Sequence, residues 1–438
     1  MTLSKARAAP LEISLRGHAR ALLFVLTVAC IGLFLGVETL VAGSAGFLTT
    51  PQKVRWMLAH DPGNPGLEYR LGRIYEEVDP GEGLRHLRYA AELSPHNQRY
   101  RHHLAIACES RGDVACADQA WVLLAELSPG VPLYHWHAGE SYLRGNRLDD
   151  SIAQFSRLLD LDAHYGPKAW FALRSVLGPD VIFRKTVANH SDAELKVAYI
   201  DFLSRQGDDN TAYWIWRSVE PRLYSVPFPA VQPYLERLIS GDRIDEAESV
   251  WRDLQRMGTV TAADENLIFN GDFEQTPLNA GFDWRKSDQT TYLAIDFAAP
   301  GAHRGARCLR VDFTVNRNEA YEPAYQIVPI LPNHTYKLEA YVRSEDITSD
   351  TGPYLRVSDP QHLSFADAVS ETTVGTTPWH SLQLGFSTGP EAQSVRLSIW
   401  RPRGRTFPMG ISGSFWVDSV SLHDKGRAVE PVAAEGQH

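Results

Sequence analysis

The 438-residue sequence predicts a multidomain α plus β protein: an N-terminal transmembrane helix, an α-solenoid of paired helices, and a C-terminal antiparallel β-sandwich. Three observations carry this. An uncharged apolar run fills Ala21 to Val37. The block Ala91-Glu92-Leu93-Ser94-Pro95 returns 34 residues later as Ala125-Glu126-Leu127-Ser128-Pro129. Beyond Asn266 the apolar spacing changes from about 3.6 residues to 2. A net charge of −10 without a Lys/Arg stripe excludes nucleic acid as a partner. Four scattered cysteines (Cys30, Cys108, Cys116, Cys308) make neither a disulfide scaffold nor a structural zinc site.

In chain order, residues 1–20 are read as a cytoplasmic tail and 21–43 as a transmembrane signal anchor. Lys5, Arg7, Arg16 and Arg20 precede the run against a single Glu12, while the nearest downstream cations are Lys53 and Arg55. The positive-inside rule then places the N-terminus in the cytoplasm. The protein becomes single-pass in the inner or cell membrane, with its bulk periplasmic or extracellular. The competing readings are a signal peptide cut near Val41-Ala42-Gly43, a lipoprotein at Cys30, and a buried core helix. The anchor is preferred because tail and run are long for a signal peptide, and because the apolar run continues well past Cys30.

Helix pairs are expected over 51–257. Pro62, Pro95 and Pro129 recur at steps of 33 and 34, as do the small residues Gly72, Ala105 and Gly139, which let paired helices approach. Gly112, Gly145, Gly207 and Gly241 mark inter-helix turns, each followed nine or ten residues on by an inward aromatic: Trp121, Phe155, Trp216 and Trp251. These residues resemble the tetratricopeptide repeat, with five or six units and a degenerate stretch over Ala163 to Asn189, where Gly166-Pro167 and Gly178-Pro179 break the period. The resemblance implies a groove for a protein partner; the alternative is a spacer. Trp136 reads as packing and His135 and His137 as surface groups; His96, His102, His103, His135 and His137 make a metal patch only if neighbouring repeats align them, and no regular i, i+4 ligand pair occurs among them. Cys108 and Cys116 flank a turn between antiparallel helices and form either a disulfide or two buried thiols.

After a linker at 258–265, the sandwich is placed at 266–424, followed by a disordered tail at 425–438. Leu309, Val311, Phe313 and Val315 alternate with polar residues; so do Tyr336, Leu338, Ala340 and Val342, and Val395, Leu397 and Ile399. The opening Asn266-Leu267-Ile268-Phe269-Asn270-Gly271-Asp272-Phe273-Glu274 and the closing Gly413-Ser414-Phe415-Trp416-Val417-Asp418-Ser419-Val420-Ser421-Leu422 resemble the ends of jelly-roll carbohydrate-binding modules of the galactose-binding-like superfamily. That resemblance implies two sites. Glu274 and Asp418 match the positions of structural-calcium carboxylates; the alternative is that Asp418 accepts backbone hydrogen bonds and Glu274 pairs with a base. Sugar stacking needs exposed aromatic faces, and Trp284, Tyr321, Tyr325, Tyr354 and Trp379 are the glycan-binding candidates, with Trp416 assigned to the core.

No HExxH, GxSxG, P-loop or GxGxxG motif occurs, so no enzyme is expected and no cofactor beyond the calcium. The sequence reads as a non-catalytic, membrane-anchored exported scaffold in exopolysaccharide or cell-envelope assembly. Its repeats hold a protein and its sandwich a polysaccharide. Two alternatives stand: a protein-interaction scaffold with the sandwich as spacer, and a glycosidase whose paired carboxylates lie far apart in sequence.

Overall fold

The computed structural model describes residues 24–33, 36, 50–220, 223, 226–261, 266–287, 292–360, 366–407 and 409–427. Among them no helix is long and apolar enough to cross a membrane. Within the expected anchor, residues 24–33 are helical. A span needs a helix of roughly 20 predominantly apolar residues, and no described helix meets that requirement. This corrects the transmembrane expectation and the single-pass localisation derived from it. Residues 1–20 and most of the remainder of 21–43 lie outside the described residues.

The chain divides into two compact units, one ending at Ser175 and one starting at Val176. The first contains α1 (Pro51–His60), α2 (Pro65–Val78), α3 (Pro80–Leu93), α4 (Gln98–Ser110), α5 (Val114–Leu127), α6 (Pro132–Arg144), α7 (Leu148–Leu161) and α8 (Gly166–Leu173). Asn64, Asp79, Asn97 and Asp113 cap α2 to α5 by accepting from backbone N–H groups of the first turn, and Pro65 and Pro80 supply preset first-turn dihedrals. The repeating small residues do the expected work. A Cβ on Gly72 would stand 2.6 Å from Leu87 of α3, and one on Gly139 would stand 2.6 Å from the Phe155 ring of α7. Trp121 and Phe155 are buried on the second helices. Cys108 and Cys116 are joined in a disulfide, with Cα atoms 5.8 Å apart. The turns are less uniform than their glycines suggest: the left-handed residue is Gly112 or Gly207 in two of them, but Asn146 and Asp242 in those containing Gly145 and Gly241.

In the second unit, α9 (Pro179–Ile182) runs into a π-helical turn over Phe183–Val187, the irregularity expected near Gly178-Pro179. Regular pairs resume with α10 (Ala193–Arg205) and α11 (Asp209–Val219), then α12 (Phe228–Ser240) and α13 (Ile244–Arg256). Two five-stranded antiparallel sheets follow. Sheet A has the order β1 (Arg285–Lys286), β4 (Ala324–Pro329), β9 (Ser394–Trp400), β6 (Tyr354–Ser358), β7 (Asp367–Val369). Sheet B has the order β2 (Leu293–Ala299), β3 (Cys308–Arg317), β10 (Ile411–Arg427), β5 (His334–Ile347), β8 (Gly375–Ser387). Leu309, Val311, Leu338, Val342, Val395 and Leu397 meet in one core between them. The last strand continues to Arg427, so Lys425, Gly426 and Arg427 belong to β10 and not to a disordered tail. Residues 262–265 of the linker and 428–438 of the tail lie outside the described residues.

The last helix pair and the sandwich share an interface. Trp251 of α13 meets Phe269 and Phe282 edge to face at 5.2 and 5.8 Å. Glu236 of α12 receives both terminal nitrogens of Arg285 at 2.7 and 2.9 Å, and the Gly281 N–H at 2.6 Å. Gly281 has φ +60°, and a Cβ there would stand 2.4 Å from the Trp251 ring. Only glycine suits both the backbone and the contact.

Candidate functional site

The five aromatic candidates separate into three places. Trp284 and Tyr321 are 0% and 2% exposed in the sandwich core, and the Trp284 indole N–H donates to the Asn270 carbonyl at 3.1 Å. Neither presents a ring to a ligand, which corrects their assignment as glycan platforms. Tyr325 and Tyr354 lie half-buried on sheet A. Trp379 lies half-buried on β8 of sheet B, 5.9 Å from His303, whose ring stacks on Tyr341 at 3.7 Å.

Sheet A carries the most ordered set of outward residues. The ladder registers align Arg285, Tyr325, Ser398, Arg356 and Val369 into one row across all five strands. On one side of it Trp400 faces Tyr354, and on the other Ile327, Arg396, Ser358 and Asp367 form a parallel row. Residues directly opposite in neighbouring strands are about 5 Å apart; Tyr325, Tyr354, Arg356, Arg396 and Trp400 are half-buried there, whereas Ile327, Ser358 and Ser398 are buried beneath them. The Arg396 guanidinium lies 3.5 Å from the Tyr325 ring centroid while pairing with Glu322, and Arg356 lies 5.3 Å from Trp400 while pairing with Asp367. Apolar ring surface thus alternates with fixed donors and acceptors, the combination that recognises a sugar's C–H faces and hydroxyls. Trp400 was missed in the sequence, although the inward Val395, Leu397 and Ile399 already send Arg396, Ser398 and Trp400 outward.

Glu274 and Asp418 both hold the 303–307 loop. Glu274 Oε1 accepts from the Ala306 and Arg307 N–H groups at 2.6 and 3.0 Å, which keeps its carboxyl below the usual range. Gly305 has φ +74°, and a Cβ there would collide with Glu274 Oε1 at 2.1 Å. Asp418, fully buried, accepts from Arg304 N at 2.9 Å and from Ser419 N at 2.6 Å. Burial raises its pKa, and the amide donors oppose that rise. Calcium takes six to eight oxygens, whereas these carboxylates face amide hydrogens. The pair does not fit a calcium centre. Among the described residues, Cys108, Asp113 and Cys116 form the only cluster of three or more His, Cys, Asp or Glu side chains close enough to share a metal ion, and both cysteines are consumed in their disulfide.

In the helical unit, Tyr69, His102, His103, Trp121, Tyr134 and His137 form a chain of ring contacts. Tyr69 meets His103 at 5.3 Å, His102 meets Trp121 at 5.4 Å and Tyr134 at 5.8 Å, and Trp121 stacks on His137 at 4.1 Å. Burial depresses the pKa of both His102 and His137. Trp136 packs in the core as expected, but His135 is also buried, held by Gln154 at 2.7 Å, and is not the surface group its type suggested.

No protein-family model and no curated protein matches the chain. Solved structures are similar over parts of it. The β-sandwich is similar to the CBM22-1–GH10 modules of Clostridium thermocellum endo-1,4-beta-D-xylanase 10B, solved with xylohexaose: 20% identity, 37% of this chain, 29% of that one, TM-score 0.27. It is also similar to a CBM4 module: 12% identity, 36% of this chain, 99% of that one, TM-score 0.27. A MamA structure shares 24% identity over 26% of this chain and 66% of its own, with TM-score 0.23. The chain spans under a third of the xylanase structure's length.

Proposed function

We propose that this protein is a non-catalytic glycan-binding scaffold whose sandwich takes a polysaccharide along the outward face of sheet A. The supporting observation is the register that puts the half-buried Trp400, Tyr354 and Tyr325 beside Arg396 and Arg356 on one face. In the helical unit the half-buried His102, His103, Tyr134 and His137, set on the buried Tyr69 and Trp121, support a protein partner there. A glycosidase reading has less support, because a general acid needs a raised pKa, and Glu274 and Glu339, the carboxylates with a resolved shift in the sandwich cavity lined by Asp272, Glu274 and Glu339, are both held below the usual range.

The test is affinity electrophoresis of the full chain in gels containing a panel of neutral and acidic polysaccharides. Trp400→Ala and Tyr354→Ala are compared with Trp379→Ala on the opposite sheet. The expected result is retardation by at least one polymer, lost in the first two variants and kept in the third. No retardation across the panel, or retardation indifferent to Trp400 and Tyr354, overturns the proposal.

A further inference from the structure

A second surface of the sandwich remains outside that role. Between the 266–275 segment, the 303–305 loop and the outward faces of β5 and β10 lies a cavity of about 580 Å³, within the ordinary range for small-ligand sites. Its walls are close-set. Gly271 lies so near β10 that a Cβ would stand 2.1 Å from the Val420 carbonyl oxygen, and Asn270 and Ser419 both hold left-handed backbone, φ 53° and 52°. Such conformations cost energy and persist where the surrounding structure imposes them.

The lining contains unused hydrogen-bonding capacity. Asp272 uses Oδ1 on the Glu274 N–H and Glu274 uses Oε1 on the 303–307 loop. Asp272 Oδ2, Glu274 Oε2 and the Tyr341 hydroxyl make no hydrogen bond among the described residues, and Arg304 contributes an exposed guanidinium. Tyr341 is fixed by its stack on His303, and Glu339 is oriented by Ser381 and Gln383 at 2.9 and 3.3 Å. Glu339 is paired with Lys337 at 3.8 Å, and Asp272 and Glu274 against Arg304 leave a net negative lining that repels anions, while a lining rich in polar groups disfavours a purely apolar ligand.

We infer that this cavity is a second glycan site that holds one sugar unit, uncharged or amine-bearing, between Asp272, Glu274 and Tyr341. The inference rests on the glycan-binding reading of the sandwich but concerns the opposite sheet. Ionised carboxylates accept strongly from sugar hydroxyls or from an ammonium group, and the same charges reject uronates.

The full chain is titrated by NMR with D-glucose, D-galactose, D-glucosamine and D-glucuronate. Asp272→Asn keeps the shape of the site, Tyr341→Phe keeps the stack on His303, and Trp400→Ala reports on sheet A. The expected result is saturable binding of a neutral or amino sugar and none of glucuronate. Asp272→Asn should weaken binding about ten- to hundredfold, as loss of a charged hydrogen bond does, Tyr341→Phe should weaken it less, and Trp400→Ala should leave it unchanged. Absence of binding by every neutral and amino sugar overturns the inference, as does binding insensitive to Asp272 and Tyr341 or abolished by Trp400→Ala. Polysaccharide retardation in the gel assay judges the sheet A proposal separately, so the two can fail independently.

Discussion

Replacing Trp251 tests whether the last helix pair and the sandwich fold as one body. The ring is 5% exposed and meets Phe228, Phe269 and Phe282 edge to face at 6.1, 5.2 and 5.8 Å, with Gly281 closed over it. Trp251→Ala deletes a buried aromatic, a change that costs about 3–5 kcal/mol. Whole domains are stable by only about 5–15 kcal/mol, so this is a large share of the total. Glu236→Ala attacks the same joint through charge, leaving Arg285 without its carboxylate and the Gly281 N–H without its acceptor, at about 1–3 kcal/mol for each unpaired group. The assay is urea unfolding combined with hydrogen exchange resolved to peptides. Both variants should lose protection together in α12, α13 and residues 266–286, with midpoints lowered in proportion. Wild-type protection in 266–286 while α13 opens in Trp251→Ala would refute the single-body reasoning and make the helices and the sandwich energetically separate.

Three further outcomes follow from local chemistry. Opening the Cys108–Cys116 bridge by Cys116→Ser releases a short loop closure worth about 2.5 kcal/mol, to be read as a lowered urea midpoint of the helical unit; an unchanged midpoint would show the bridge to be energetically idle. Asp283 is fully buried, and burial lifts its carboxyl from 3.8 to about 6 against the amides of Leu278 and Trp284. The fold therefore favours the neutral acid: its contribution is complete below about pH 3.8 and is lost as pH rises through 6. Relative to Asp283→Asn, the wild type should lose about 3 kcal/mol between pH 3.5 and 7.5, and a pH-independent difference would contradict this. Because amide donors already occupy Glu274 and Asp418, EDTA should leave the melting temperature unchanged and added calcium should not raise it; a chelator-dependent fall would reinstate calcium.

The helical part was legible because a repeat writes the same packing problem several times. Gly72 and Gly139 stand where a second helix allows no side chain, and a 33- or 34-residue period makes that visible without coordinates. Strands were legible for a related reason: Leu309, Val311 and Phe313 must alternate if one face is buried. Turn conformation was less so, since Asn146 and Asp242 adopt the left-handed backbone that the neighbouring glycines advertised. The apolar run in 21–43 misled because apolar composition measures affinity for an apolar medium, whereas spanning requires length as well, and no described helix is both long and apolar enough.

The binding face was only half written in the sequence, and the reason is geometric. Alternation along β9 fixes which way Trp400 points, but whether Tyr325, Ser398 and Arg356 share a row depends on two strand registers that no local pattern specifies. Choosing aromatics by type and loop position therefore admitted Trp284 and Tyr321, whose burial is decided by segments distant in sequence: the Trp284 indole by the carbonyl of Asn270, and Tyr321 by its bridge to Arg401. The same holds for Glu274 and Asp418. A carboxylate in sequence looks equally ready for a cation or for backbone amides, and the 303–307 loop, which decides between them, lies 32 residues from Glu274 and 114 from Asp418. Residue type narrows the chemistry a position can perform, and non-local backbone donors select which of those options is used.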